Sequence, residues 1–176
     1  MKKFLVVLVM FIGFNSFSQK GFYFSYAQCE IIGVFNGELI KRQSKNVKAG
    51  LDDFSQDFIA LVGFEDFNVK NKITGEDIDF HEIIMKIKGQ IPLDEMRGSN
   101  KQVQNYQAEL EVIFPDITIT SLFNIEIQYF ANGKEGFRVV RMRTEIPIDE
   151  SFEKLKGFEK TLFIDISYNI YKFKSY

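Results

Sequence analysis

From about residue 22 to the C-terminus, apolar and polar side chains alternate with a period of two, and helical periodicity is hard to find. The clearest run is Phe80 to Ile91. There His81, Ile83, Met85, Ile87, Gly89 and Ile91 share one face, while Glu82, Lys86, Lys88 and Gln90 share the other. A second runs from Tyr106 to Phe114, with Tyr106, Ala108, Leu110, Val112 and Phe114 opposite Gln107, Glu109 and Glu111. A third sets Phe123, Ile125, Ile127 and Tyr129 against Asn124, Glu126 and Gln128. The last sets Leu162, Ile164, Ile166, Tyr168 and Ile170 against Asp165, Ser167 and Asn169. A strand that is apolar on one face and wet on the other belongs to an antiparallel sheet.

Turn residues agree with that reading. Asn36-Gly37 separates Ile31–Phe35 from Glu38–Lys41, and Asn132-Gly133 separates Tyr129 from Phe137. Asn-Gly tolerates the positive φ angles of tight hairpins, so both mark hairpin turns. Further strands are expected at Phe22–Gln28, Asp57–Phe64 and Phe137–Ile146. The result is an all-β chain of about eight strands, a barrel or a sandwich. Two stretches break the pattern. Asn68 to Asp79 is polar and holds a loop or short helix, and Pro147 to Gly157 offers Asp149 and Ser151 as caps for one helical turn.

The first residues have a different logic. Lys2 and Lys3 precede an uncharged apolar run from Phe4 to Phe14, and Ser16 and Ser18 sit at the −3 and −1 positions of a cleavage site before Gln19. That is the layout of a signal peptide over residues 1–18, and it places the mature chain in the periplasm or outside the cell. The run is shorter than the ~20 residues of a membrane-spanning helix, so the chain is not expected to be an integral membrane protein. Residues 19–176 suit a single domain.

Composition narrows the classes of partner. Net charge is −2, with 22 basic and 24 acidic residues interspersed, so no basic stripe is present to follow a nucleic acid backbone. Cys29 is the only cysteine, which excludes an internal disulfide; a half-buried strand cysteine is the simplest role for it. Twenty phenylalanines and seven tyrosines, without tryptophan, imply a thick aromatic core or a ring-lined apolar cavity.

Catalytic chemistry finds no foothold. His81 is the only histidine and falls on an apolar face, a Ser-His-Asp set does not assemble around it, and a zinc site is not expected from one histidine and one cysteine. The carboxylates at Asp52-Asp53, Glu76-Asp77-Asp79 and Asp94-Glu95 read as solvated turn residues, though a hydrolase with a carboxylate pair remains one of the rival readings. Arg138, Arg141 and Arg143 lie in one strand (RVVRMR). Arg141 and Arg143 are in phase with Phe137 and Val139, and form either an anion clamp at a barrel mouth or the charged guard of an edge strand.

Several segments carry a family resemblance. Asn46 to Asp52 (NVKAGLD), Phe58 to Phe67 (FIALVGFEDF), Met85 to Ile91 (MKIKGQI) and Asp116 to Ile127 follow one another as in the YceI-like family of periplasmic polyisoprenoid-binding proteins. Arg143 to Ile148 (RTEIPI), followed by Phe158 to Tyr171 (FEKTLFIDISYNIY), resembles the end of that family's pattern. The family's long loop has no copy between Phe67 and Phe80. The resemblance implies a lipocalin-like, antiparallel eight-stranded β-barrel, non-catalytic, holding a polyisoprenoid or quinone and needing no other cofactor. The alternating faces then supply the wall: Phe64, Met85, Ile87, Leu110, Val112, Phe123, Ile125, Ile127, Ile164, Ile166 and Tyr168. Alternation alone fits a filled core equally well. The alternative function is a filled barrel or β-sandwich that binds protein or glycan in the cell envelope.

Overall fold

The computed structural model describes residues 22–52, 55–67, 69–70, 75, 80, 83–92, 103–132 and 135–171. The signal segment and His81 lie outside this set, as do most of Asn68–Asp79 and the acidic groups at positions 76–79 and 94–95.

Eight strands close into an antiparallel barrel in chain order, each pairing with its sequence neighbours and the first with the last. They are β1 (Phe22–Phe35), β2 (Glu38–Asp52), β3 (Asp57–Gly63), β4 (Ile84–Gln90), β5 (Val103–Ile113), β6 (Thr118–Asn132), β7 (Glu135–Pro147) and β8 (Phe158–Tyr171). The expected strands at 22–28 and 31–35 are one long strand, because β1 continues through Cys29. β4 is shorter than the apolar run that announced it. Closing a sheet requires strands that bend, and β1 supplies the bend. Its register slips between Ala27 and Cys29 against β2, and between Gly33 and Val34 against β8.

The turns follow local chemistry. Asn36 and Gly37 both take positive φ (48° and 79°), the two-residue hairpin geometry expected of Asn-Gly. At the other hairpin Asn132 pairs with Glu135, so it closes β6 where the sequence pattern expected it to open the turn. Two short 3-10 turns, Phe64–Phe67 and Glu153–Leu155, stand outside the strands. Asp149 does not cap the second, whose N-cap is Phe152 without a side-chain bond. Instead its Oδ1 accepts the Ser151 hydroxyl at 2.5 Å and the Ser151 N–H at 2.9 Å, and these bonds hold the Asp149 carboxyl below its usual range.

The alternation becomes a radial polarity. Inward positions form one apolar core that runs round all eight strands, while Lys, Glu, Gln, Asn and Arg stand on the outer wall. A membrane-spanning barrel has the reverse arrangement, with an apolar outer band. Among the described residues, no helix is long and apolar enough to cross a membrane. β7 pairs with both β6 and β8, so its arginines do not guard an edge. Tyr129 departs from its apolar register and is 39% exposed near the end of β6.

Candidate functional site

The two ends of the barrel are built differently. At the end where β1 turns into β2, seven phenylalanines make a continuous plug. Phe64, from the turn after β3, meets Phe67, Phe80 and Phe114 edge-on, with centroids 5.1–6.2 Å apart. Phe35 meets Phe80 and Phe158, and Phe114 meets Phe152. Edge-to-face rings pack densely without stacking repulsion. Gly157 makes room for this plug. Its φ is +105°, and a Cβ there would lie 2.5 Å from the Phe35 ring.

Toward the opposite end small side chains share the described inner wall with Leu51, Phe58 and Ile91. Ala27, Ala49 and Ala60 are buried inward positions on β1, β2 and β3, and Ala49 is paired with Ala60 across the strands. Phe58 and Tyr168 stack there at 5.5 Å, with 23° between their planes. Gln104, Ile127, Val140 and Tyr168 occupy one level of the wall on β5 to β8. Gln104 is buried and its Oε1 accepts the Tyr106 hydroxyl at 2.8 Å.

Every wall residue expected from the sequence is buried inside this core: Phe64, Met85, Ile87, Leu110, Val112, Phe123, Ile125, Ile127, Ile164, Ile166 and Tyr168. They do not all play the same part. Phe64 belongs to the plug, whereas Tyr168 stands toward the opposite end. Sequence reasoning missed the wall contributed by β1 to β3 and β7. Ala27 alternates with Cys29 and Ile31, and Val47 with Ala49 and Leu51, so the signal was present. On β7, Val140, Met142 and Ile146 alternate with Arg141, Arg143 and Glu145 and are all buried.

Tyr168 has the one side-chain oxygen in the described core that is fully enclosed without a hydrogen-bond partner among the described residues. Burial pushes its phenol pKa up, so the group stays a protonated donor. Cys29 is fully buried, not half-buried as expected. Burial first, then the nearby Asp165 and Glu30 charges, push its thiol pKa up and keep it unreactive. Asp52, expected as a solvated turn carboxylate, is also buried and accepts the Ser55 N–H at 3.1 Å.

Arg141 and Arg143 stand mid-strand on the outer wall, not at a mouth. The Arg141 Nε reaches both Asp165 oxygens at 2.8–2.9 Å, and its NH2 bonds Oδ2 as well. These bonds hold the guanidinium charge more firmly than usual. Arg143 lies 3.6 Å from the same carboxylate and 3.5 Å from Glu126. Arg141 borders a shallow outer groove of about 300 Å³, lined also by Gln28, Glu30, Gln43, Gln128 and Ser167. Among the described residues, no three His, Cys, Asp or Glu side chains converge as metal ligands.

No family model matches the chain, and no curated protein matches its sequence. A solved structure does match in shape. It is a polyisoprenoid-binding domain from Saccharophagus degradans implicated in plant cell wall breakdown, with a TM-score of 0.55 over 86% of this chain and 96% of that one. Sequence identity is 7%, so the likeness is one of fold. This chain is thus similar, in its closed eight-stranded antiparallel barrel, to a polyisoprenoid-binding domain, the fold that its sequence resemblance implied.

Proposed function

We propose that the protein is an exported, non-catalytic carrier that holds an apolar isoprenoid-type lipid or quinone inside its barrel. One observation carries the reading: a closed barrel with an apolar interior, plugged by phenylalanines at one end and lined by alanines toward the other. An eight-stranded barrel is about the smallest that holds one ligand. Each buried methylene contributes about 0.8 kcal/mol, so a few prenyl units offset the cost of association. The fold shared with a polyisoprenoid-binding domain supports the same ligand class. Export rests on the layout of residues 1–18.

The test is native mass spectrometry of protein purified from its own organism, followed by organic extraction. A bound mass equal to a prenyl quinone or polyprenyl lipid is expected. A bare mass that stays bare after incubation with such lipids overturns the reading.

A second reading has its own observation. The outer groove gathers amides, carboxylates and a guanidinium, groups that hydrogen-bond sugar hydroxyls. In that reading the barrel is a filled scaffold for glycan binding. Glycan-array binding that is lost in Gln28→Ala and Gln128→Ala variants, with no lipid bound, is its signature.

A further inference from the structure

Among the described residues, the Tyr168 hydroxyl is the one buried side-chain oxygen without a hydrogen-bond partner. It sits on the inner wall of β8, covered by Phe58, with Ala27 and Val140 as its cross-strand neighbours. A phenol enclosed without a partner costs more than a phenylalanine of the same shape, since it lost water and gained nothing. We infer that this hydroxyl is the head-group contact of the barrel, donating a hydrogen bond to a neutral oxygen on the bound lipid: a quinone carbonyl or a prenyl hydroxyl. The inference rests on the carrier reading and deepens it by naming the ligand's polar end.

Three observations support the neutral head. First, a protonated phenol donates, so the ligand must present an acceptor. Second, the buried polar side chains among the described residues are Ser44, Asp52, Gln104, Thr144 and Asp165, with no Lys or Arg. An ionised phosphate or diphosphate drawn into that interior would lack a countercharge. Third, the guanidiniums of Arg141 and Arg143 stand on the outer wall against Asp165, separated from Tyr168 by the sheet itself. The inner wall therefore selects against the charged precursors of isoprenoids and for their neutral, oxygen-bearing products.

Four ligands with one phytyl tail separate these cases: phytane, phytol, phylloquinone and phytyl diphosphate. Each is titrated into delipidated wild-type protein and into Tyr168→Phe, and both proteins are melted without ligand. The wild type is expected to bind phytol or phylloquinone about tenfold tighter than phytane, the scale of one hydrogen bond. Phytyl diphosphate should bind no tighter than phytane. In Tyr168→Phe the preference disappears while phytane affinity is unchanged, and the empty variant melts no lower than the wild type. A preference that survives in Tyr168→Phe, tightest binding of the diphosphate, or a lower melting point of the empty variant overturns the inference and leaves the carrier reading standing. Binding of none of the four by the wild type overturns both.

Discussion

The plugged end and the alanine-lined end of this barrel are made from the same alternating strands, yet they use their aromatic side chains in opposite ways. At the plug, Phe35, Phe64, Phe80, Phe114 and Phe158 come from strand ends and connecting turns and meet edge to face. At the other end two rings, Phe58 and Tyr168, stack over alanines, and one of them carries a polar group without a partner. Edge-to-face clusters are a device for excluding space. The opposite end instead sets small side chains beside a hydroxyl donor with no partner among the described residues. The difference teaches that period-2 alternation sets which way a side chain points, while residue size along the barrel axis sets whether the interior is a core or a container.

The plug can be broken most severely. Phe64→Ala removes the ring at its centre and is expected to cost about 3–5 kcal/mol in denaturant unfolding, as large-to-small aromatic changes in cores do. A loss well under about 1 kcal/mol would mean that the plug is loosely packed, and the contrast between the ends would collapse.

The wall between the ends comes next. Arg141→Met leaves the Asp165 carboxylate, 6% exposed, with Arg143 as its remaining ion-pair partner. Unfolding free energy should fall by about 1–3 kcal/mol, the cost of a buried acceptor losing its main donor. Lipid binding should be unaffected, because the pair stands outside the barrel. A change in lipid affinity would tie the outer groove to the interior.

Filling the other end sharpens the comparison more directly. Ala60→Leu adds bulk beside Ala49 on the inner wall. In a container the variant keeps its stability within about 1 kcal/mol and stops binding lipid, whereas in a filled core the same overpacking costs about 1–3 kcal/mol. Equilibrium unfolding and native mass spectrometry on one preparation separate the two.

The smallest effect is a rate without a stability change. Cys29 faces the core on β1, opposite Ile166 of β8 at the strand pair that closes the barrel. Native protein should resist iodoacetamide at pH 8 and react fully in urea, since its thiol is both enclosed and held protonated. Rapid labelling of the native state would show that the β1–β8 seam opens.

Much of this is legible in the chain because strand periodicity is local. The inward faces at Met85 and Ile87, Leu110 and Val112, Phe123 to Ile127, and Ile164 to Tyr168 all fall where alternation puts them. Asn36-Gly37 marks its hairpin through its own backbone preferences. The departures have causes that lie beyond the single strand. β1 reads as two runs because the polar Gln28 and Glu30 flank Cys29 where the strand bulges against β2, and a bulge is a property of two strands. Asp52 reads as solvated because a sequence shows a turn's polarity, not what packs over it.

The sequence by itself determined the β class, the side of the wall that most residues take, and the absence of a basic stripe or disulfide framework, all of which follow from spacing and residue type. Only the tertiary structure decided that Arg141 would face Asp165, that Phe64 would join a plug made of turns, and that Tyr168 would be left without a partner. The first depends on the register of β7 against β8, and the others on how the strands and turns close into a barrel. Residues more than a hundred positions apart become neighbours only when β1 meets β8, and nothing in either strand alone encodes which level of the other it will meet.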